Sequence, residues 1–487
     1  MTVKIAVISD VHYDSTSFDS EQPYAALADI LLLRAVHRIN RLVQPDIVLI
    51  LGDMVDLGGA PSALNCLGEL RDTIGLVHAP VMVLPGNHDP DPETFFSILG
   101  PSPPCVEVKG TRFVRFVDPE EPEYNARRLP AETARFAEAR AGFDGPIVSV
   151  QHVPLFPPGA GDCPYGYVNA DEVVASMRAH GVRLAVSGHY HRGMDMVCAD
   201  GASFVVAPAL CRPPFQFLEI ELNDEDVHVR RHRLRLPDQT RLTDTHVHTR
   251  LAYCSENMDV GKTLALAEAF GLAGVRFTEH TGQLYFDADT FWSGRYLPRG
   301  IDGARTTDRR VDDYFALLSA GPCPREWIGL EVDCDFHGRP VLTNADRARA
   351  RFFNGAMHGL QELSRPRPDM EKAGDEFLFL LDRFARSGIY ALAHPFRVFR
   401  RAKQPVPTRL LDPTVGLLRD HGVAAEINFH FQETDVEFVR KCIEAGVKLA
   451  FGSDAHNLYE VGEFAPHLEL LKTCGFDGDL SDILLTP

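Results

Sequence analysis

Short apolar runs recur along the first half of the chain, and each of them ends in polar residues. The first run, Val3–Ile8, is followed by Ser9 and Asp10, and later runs cover residues 46–51, 81–84, 147–150 and 184–186. Runs of this length, rich in Val and Ile, are typical of buried strands. A helical stretch over residues 24–43 separates the first two. The pattern predicts a layered α/β domain with its chemistry at the ends of the strands.

A second domain is predicted after a short hairpin and linker. Residues 215–236 form two apolar stretches around the polar turn 223–226, which predicts a β-hairpin. Residues 237–241 are a predicted linker, and a new series of strand-end motifs begins at Leu242. We therefore predict two domains, residues 1–236 and residues 242–487. A chain of 487 residues exceeds what one hydrophobic core usually organises.

Composition narrows the possible partners. A net charge of -19 argues against nucleic-acid binding by a broad basic surface, whereas small phosphorylated substrates stay open. No apolar run reaches the roughly 18 residues of a membrane span, and the N-terminus lacks the pattern of a signal peptide. The ten cysteines include no C-x-x-C pair, as expected of reduced thiols. We expect a cytoplasmic protein with no membrane partner, and its oligomeric state stays open.

Five polar motifs follow the predicted strands of the first half. They are Asp10-x-His12, Gly52-Asp53-x-x-Asp56, Gly86-Asn87-His88-Asp89, His152 and Gly188-His189-x-His191. Imidazole and carboxylate groups suit Mn, Fe and Zn, and two such ions held close together need a ligand that they share. The ordered set resembles the calcineurin-like metallophosphoesterase family over residues 1–236. That resemblance implies a four-layer αββα sandwich with two metal ions (Mn, Fe or Zn).

The same resemblance assigns roles to individual residues. Asp53 would bridge the two ions, which would attract a phosphate and activate water for attack on phosphorus. His88 would protonate the leaving oxygen, with Asp89 as a candidate to orient it, or it is a structural histidine beside a ligand. Asp56 is expected to support the site or cap a helix rather than to bind metal. The remaining ligands would be Asp10, His12 and His191 for one ion, and Asn87, His152 and His189 for the other.

The second half carries another ordered series of motifs. They are Asp244-Thr245-His246-Val247-His248, Thr278-Glu279-His280, Gly329-Leu330-Glu331-Val332-Asp333, Met357-His358, Ala393-His394-Pro395, Glu426-Ile427-Asn428 and Gly452-Ser453-Asp454-Ala455-His456. The series resembles the PHP family over about residues 242–465, in particular its histidinol-phosphatase branch. The resemblance implies a distorted seven-stranded barrel of alternating strands and helices, with metal ions at the carboxyl ends of the strands.

Two or three ions (Zn, Mn or Fe) are implied for this second centre. Glu331 would bridge the first two, and Cys254 occupies a position where the family often has a further histidine. A thiolate there is a competent zinc ligand, but a buried inert thiol explains a cysteine equally well. The other implied ligands are His246, His248 and Asp454 for the first ion, His358 and His394 for the second, and His280 and His456 for the third.

Residues outside the ligand motifs suggest how substrate is held. The aromatic segment 284–321 is either a lid over the second centre or a packed insertion with a helix near 311–319. Arg397 and His430 follow polar strand ends and are candidate phosphate contacts.

These observations predict a two-centre, metal-dependent phosphoester hydrolase. Its catalytic residues would be Asp53, His88 and Glu331. It would act on small phosphorylated metabolites or nucleotides as a phosphodiesterase, a phosphomonoesterase or both. One alternative is a single activity in which the other metal-binding domain is a regulatory scaffold. Another is a nuclease acting on nucleic-acid ends, which the negative charge disfavours.

Overall fold

The computed structural model describes residues 2–16, 24–237, 240–302, 310–430 and 434–485. Part of the predicted linker and part of the aromatic segment 284–321 lie outside these ranges. The chain divides into two compact units, Met1–Arg235 and Leu236–Pro487. Within the described ranges, no helix is both long enough and apolar enough to cross a membrane.

Two large β-sheets, a small two-stranded sheet and flanking helices build the first unit. The strands are β1 (Val3–Ile8), β2 (Ile47–Ile50), β3 (Val81–Val83), β4 (Cys105–Val108), β5 (Thr111–Arg115), β6 (Glu120–Glu121), β7 (Asn125–Ala126), β8 (Ile147–Val150), β9 (Val182–Ser187), β10 (Met194–Ala199), β11 (Ala202–Val206), β12 (Gln216–Leu222) and β13 (Val227–Arg233). The α-helices are α1 (Ala28–Arg38), α2 (Ala63–Ile74), α3 (Pro92–Leu99), α4 (Pro130–Thr133), α5 (Arg135–Arg140) and α6 (Ala170–Ala179).

The order of the strands places four of the motif-bearing ones, β1, β2, β8 and β9, inside their sheets, whereas β3 lies at an edge. One sheet has the order β13-β12-β1-β2-β3, and the other has the order β10-β11-β9-β8-β5-β4. Strands β1, β2 and β3 are parallel to one another, and so are β5, β8, β9 and β11. The predicted hairpin is confirmed, since Leu222 of β12 pairs with Val227 of β13.

A single apolar core joins the two sheets. Ile5 and Leu49 from the first sheet and Val148 and Leu184 from the second belong to the same buried cluster. Side chains alternate between the two faces of a strand, so the neighbouring residues of the second sheet point away from this core. There they pack with α5 and α6, as Phe204 does. Because the faces of these strands are covered, a site is expected at their polar ends.

The second unit is built from seven strands and the helices between them. The strands are β14 (Thr243–Val247), β15 (Gly274–His280), β16 (Ile328–Asp333), β17 (Phe352–Ala356), β18 (Ala391–Leu392), β19 (Ala424–Ile427) and β20 (Leu449–Phe451). The helices are α7 (Val260–Phe270), α8 (Thr281–Tyr285), α9 (Ala288–Trp292), α10 (Arg310–Ser319), α11 (Asn344–Arg347), α12 (Met370–Ala385), α13 (Arg397–Arg401), α14 (Leu411–His421), α15 (Val436–Glu444), α16 (Ala465–Thr473) and α17 (Leu480–Ile483).

These seven strands form a nearly closed parallel barrel. They lie side by side in chain order from β14 to β20. Closure comes from a parallel bridge between Val247 and Ala455 and from the Asp454 amide, which donates to the His246 carbonyl at 2.7 Å. Aspartates cap the helices that follow, and Asp259 for example accepts from the amide of Lys262 at 2.9 Å. The helix predicted near 311–319 is α10.

Each unit has its own sheet system and its own buried core, so we expect each to fold without the other. Residues 1–235 and residues 236–487, produced separately, should each unfold cooperatively, because a domain with a complete core is stable alone. Circular dichroism and thermal unfolding of the two halves and of the full chain test this. A half that stays unfolded or aggregates unless the other is present would contradict it.

Candidate metal centres

The five motifs of the first unit meet at the carboxyl ends of parallel strands. Asp10 and His12 follow β1, Asp53 follows β2, and His152 and His189 follow β8 and β9. Parallel strands end at the same edge of a sheet, which brings together residues that are far apart in the chain. The backbone amide of His189 donates to Asp10 Oδ2 at 3.0 Å, a contact across 179 positions.

Asp53 lies between two groups of side chains. Its Oδ2 is 3.6 Å from His12 Nε2 and 3.3 Å from His152 Nε2. The ligand atoms of Asp10, His12 and His191 lie within 4.8 Å of one another, and so do those of Asp53, His152 and His189. Asn87 Oδ1 is 3.0 Å from His152 Nε2. The structure thus brings together every ligand predicted for this centre, in the two groups that were expected.

The donor set of this centre fits divalent cations. His152 Nε2 lies 3.1 Å from His189 Nδ1. Burial opposes protonation of His152, but Asp53 outweighs it and raises the pKa of His152 to about 9. Burial and the charge of His152 lower the pKa of His189 to about 4. Among the described residues, the buried Asp10 Oδ1 and His189 Nε2 have no hydrogen-bond partner. Ring nitrogens and carboxylate oxygens that converge on one place in this way suit a metal ion.

The backbone at these residues is strained, which is typical of a functional site. Asp10, His12, Asp53 and His189 all have positive φ, between 48° and 66°. Such a conformation costs a residue other than glycine about 1–3 kcal/mol. Favourable interactions elsewhere in the fold must offset this free energy. The strained conformations bring the four strand-end side chains together.

His88 is held differently from the expectation. Its Nδ1 lies 2.7 Å from the carbonyl oxygen of Asp56, so the ring donates there. The carboxylate of Asp89 instead accepts from the amides of Met54 at 2.8 Å and Gly86 at 2.9 Å. Among the described residues, the partner that orients His88 is therefore the Asp56 carbonyl and not Asp89. Asp89 fixes the two loops that carry Asp53 and the Gly86-Asn87-His88-Asp89 motif.

Asp56 also supports a predicted ligand through its side chain. Its Oδ1 lies 3.2 Å from His12 Nδ1, which directs the Nε2 of that ring towards Asp53 and His191. A carboxylate on the far nitrogen fixes the tautomer of a metal-binding histidine and increases its basicity. This contact agrees with the supporting role expected of Asp56.

In the second unit, Glu331 is the carboxylate around which the other predicted ligands gather. Its Oε2 faces His246 and His248 at 3.5 and 3.7 Å, and it also contacts His280 Nδ1. Its Oε1 faces His358 and His394 at 3.4 and 2.8 Å. The two oxygens of one carboxylate thus serve two separate groups of imidazoles, as a bridging ligand requires.

Asp454 and His456 complete the site from the last strand of the barrel. Asp454 Oδ1 is 2.9 Å from His248 Nε2 and 3.5 Å from His246 Nε2. His456 donates from Nδ1 to the Asp454 carbonyl at 2.8 Å, and its buried Nε2 has no hydrogen-bond partner among the described residues. The ligand atoms of His248, His280 and His456 lie within 4.8 Å of one another. A third cation position therefore fits this set of donors.

Cys254 lies beside this third group. Its Sγ is 3.8 Å from His280 Nε2 and accepts from Gln283 Nε2 at 3.5 Å. Burial raises the pKa of the thiol to about 12, so only a nearby cation would favour the thiolate. The position suits both of the explanations considered for Cys254, and its role as a ligand stays a prediction.

Three buried carboxylates at strand ends of the second unit support predicted ligands, a role that the sequence did not predict. Glu426, Glu279 and Asp333 lie 2.7, 3.1 and 2.7 Å from the Nδ1 atoms of three predicted ligands, which are His246, His248 and His358 respectively. Each of them turns the Nε2 of its imidazole towards Glu331 or Asp454. The signal available in the sequence for Glu279 and Asp333 was an acidic residue at a strand end, next to or two residues from a predicted ligand. Glu426 also follows a strand, but it has no predicted ligand near it in the chain.

The electrostatics of Glu331 also fit bound cations. Burial opposes ionisation of this carboxyl, but the charges of His280 and His246 more than offset that cost and hold its pKa well below the ordinary value. A buried carboxylate needs such positive partners. Metal ions would supply the same positive charge without protonating the imidazoles.

The described part of the aromatic segment 284–321 is mostly packed. Tyr285, Phe286 and Tyr296 are buried, and the Tyr296 hydroxyl donates to Asp333 Oδ1 at 2.7 Å. Phe291 and Trp292 line a cavity above the second centre. The packed-insertion hypothesis therefore describes most of this segment, and residues 303–309 lie outside the described ranges.

The two candidate phosphate contacts lie at the edge of the second centre. Arg397 donates to Asp454 Oδ2 at 2.6 Å and to Asn428 Oδ1 at 2.7 Å. The ring of His430 stacks on that of His456, with centroids 4.7 Å apart, and its Nδ1 lies 2.8 Å from Glu460 Oε1. Both side chains line a cavity together with the predicted ligands His280, His358 and His456.

Comparison with known proteins assigns the first unit. Residues 3–193 match the family described as calcineurin-like phosphoesterase. The first unit therefore contains a calcineurin-like phosphoesterase domain, and the match supports metal-dependent hydrolysis of phosphoesters. It ends at residue 193, so the PHP resemblance of the second unit stays a prediction.

One similar solved structure is a dimetal phosphatase from Danio rerio. The two share 16% identity over 47% of this chain and 96% of that one, with a TM-score of 0.40. A TM-score that low adds nothing to the assignment. No curated protein matches the chain in sequence.

Gly86 provides a test of how the first centre is held. A Cβ at this position would overlap Asp53 Oδ1 and come within 2.7 Å of His152 Cε1. We expect Gly86→Ala to displace both ligands and to weaken metal binding by about 10–100-fold, as the loss of a supporting contact does. Titration against a metal-binding dye measures the affinity. At Gly59 no described atom lies within 4 Å of an added Cβ, so Gly59→Ala is the matched control. Equal affinities in the two variants would contradict the expectation.

Proposed function

We propose that the protein is a phosphoester hydrolase with two metal-dependent centres, a calcineurin-like one in the first unit and a PHP-type one in the second. The first centre would hold two divalent ions and the second two or three, drawn from Mn, Fe and Zn. The proposed substrates are small phosphorylated metabolites or nucleotides, in keeping with the net charge of -19.

The observation that carries this proposal is the shared carboxylate in each unit. Asp53 faces imidazoles of two ligand groups, and the two oxygens of Glu331 do the same. Both side chains are almost fully buried. A buried carboxylate is destabilised unless positive charge lies next to it, and cations held between it and the imidazoles would supply that charge. Bound cations would supply Lewis acidity towards phosphoryl oxygens and activate water for attack on phosphorus.

In the first centre, His88 is the proposed proton donor. The Asp56 carbonyl fixes its Nδ1, which leaves Nε2 to protonate the departing oxygen of the substrate. The amide of His88 donates to Asp53 Oδ1 at 2.8 Å, and this bond fixes the position of the proposed proton donor relative to the shared carboxylate. His88 would thus deliver one proton next to the proposed metal site.

In the second centre, Arg397 and His430 are the proposed contacts for the phosphate. Arg397 reaches Asp454 and lines the cavity together with His430. Its guanidinium group, which already donates to Asp454 and Asn428, would add positive charge beside the phosphate. The PHP assignment rests on the seven-stranded parallel barrel, the quoted motifs and the gathering of the predicted ligands around Glu331.

Removal of either shared carboxylate should abolish one activity and spare the other. We expect Asp53→Asn and Glu331→Gln each to lower turnover at its own centre by at least about a hundredfold, because the amide no longer holds two cations together. Rates with a panel of phosphomonoesters, phosphodiesters and cyclic nucleotides, together with metal content, measure this.

The exposed Asp72→Asn and Glu469→Gln are matched controls, since the same chemical change is made far from any predicted ligand. If both mutations remove the same single activity, one domain is a scaffold and the proposal of two centres fails.

A separate test concerns the proton delivered by His88. His88→Ala should retain both metal ions but slow esters that expel an alkoxide by about 10²–10⁴-fold, since such a leaving group needs a proton. Activated aryl esters should lose much less, because a nitrophenolate leaves without one. A nucleoside 2′,3′-cyclic phosphate and bis(p-nitrophenyl) phosphate are the two probes, with the exposed His78→Ala as control. Equal losses on both would assign His88 a structural role.

A further inference from the structure

The first centre opens into a cavity of about 460 Å³ with an apolar and acidic wall. Phe116, Tyr124 and Leu129 form its apolar part, and Asp91 and Glu120 add negative charge. Neither lysine nor arginine is found among the described residues of the wall. The cavity reaches the predicted ligands Asn87, His152 and His189.

Aromatic side chains lie close to the metal ligands in this cavity. The ring of Tyr124 is 6.5 Å from that of His189, and Tyr124 and Leu129 are 57% and 46% exposed. Large side chains that stay exposed at a cavity are available to pack against a ligand, because they are not buried in the core. The nearby Arg128 is fully buried and is paired with Asp118 at 2.9 Å, so its charge does not reach the cavity.

The cavity of the second centre has the opposite charge. It measures about 350 Å³, and α13 contributes Arg397, Arg400 and Arg401 to its wall. Neither aspartate nor glutamate is among the described residues that line it. His280 and His358, which are predicted metal ligands, lie at its base. Arg397 is paired with Asp454 at 2.6 Å, so the positive charge that this short helix adds to the wall comes from Arg400 and Arg401.

Phosphoesters differ in charge in a way that matches this contrast. A phosphodiester carries one negative charge near neutral pH, whereas a phosphomonoester carries about 1.5 to 2. Carboxylates in a cavity repel the more highly charged ester, and arginines form charge-assisted hydrogen bonds with it. An apolar and aromatic wall suits an uncharged organic group attached to the phosphate.

We infer that the two cavities divide the substrates by charge. The first centre takes phosphodiesters that carry an uncharged, ring-bearing group, and the second takes doubly charged phosphomonoesters. This inference rests on the proposed function of the two centres and adds the substrate class of each.

The two steps then form a sequence in one direction. At the first centre, one water adds to phosphorus, one P–O ester bond breaks, and the alcohol leaves with a proton. The product is a phosphomonoester, which the acidic wall disfavours and the arginine-lined cavity binds. There a second water breaks the remaining ester bond and releases inorganic phosphate and the second alcohol.

Two probes with the same leaving group separate charge from reactivity. They are bis(p-nitrophenyl) phosphate, which is a singly charged diester, and p-nitrophenyl phosphate, which is a doubly charged monoester. In the full chain, Glu331→Gln leaves the first centre to act alone, and Asp53→Asn leaves the second. We expect the ratio of kcat/KM for diester over monoester to be at least about a hundredfold larger for the first centre than for the second.

The possible outcomes distinguish this inference from the proposed function. If each mutation removes one activity but the two centres show the same or the reverse preference, the division by charge is wrong and the two-centre function stands. If neither mutation removes any activity, the proposed function fails, and the inference fails with it.

Variants of the cavity walls test the cause of the preference. Replacing both Arg400 and Arg401 with Ala should raise KM for p-nitrophenyl phosphate at the second centre by about tenfold, the value of a lost charged hydrogen bond. Glu120→Lys should raise kcat/KM for the same ester at the first centre by about threefold, as expected of an exposed charge. Arg386→Ala, an exposed arginine paired with Asp382, is the matched control. An unchanged KM after loss of both arginines would overturn their role in the preference.

Discussion

A carboxylate buried between opposing groups of imidazoles is the interaction on which both units depend. Asp53 and Glu331 are almost fully removed from water, where an isolated carboxylate would be strongly destabilised. Positive charge among their neighbours offsets this cost, and it holds the pKa of each carboxyl well below its ordinary value. Metal ions held among the surrounding nitrogens would supply that charge.

The strand topology makes this interaction possible, and it requires unfavourable backbone conformations in the loops. In both units the predicted ligands lie at the carboxyl ends of parallel strands, where short loops turn side chains inward. Positive φ at Asp10, Asp53 and Asp454 shows that these loops hold conformations that are costly for residues other than glycine. Apolar packing beneath the loops stabilises them. In the first unit that packing is the core between two sheets, and in the second it is the interior of the barrel.

Supporting carboxylates give each centre its orientation. Asp56 in the first unit and Glu279, Asp333 and Glu426 in the second contact the far nitrogens of predicted ligand histidines. A ring that is held at one nitrogen presents the other in a fixed direction, which reduces the entropy lost when an ion binds. The two units thus use the same physical device on different folds.

The amino-acid sequence by itself determined the strand positions, the hairpin at the end of the first unit and the residue types of both centres. Apolar runs and polar strand ends are local features, so they are legible without a structure. Only the tertiary structure decided which atoms meet. It brings Asp454 next to His248, 206 positions away in the chain. It shows that the Asp56 carbonyl, rather than Asp89, orients His88, and that Glu426 supports His246. It also decided the opposite charge of the two cavities, because their walls combine loops and helices that are separate in the chain. Contacts of that kind depend on strand order and loop geometry, which local sequence patterns do not encode.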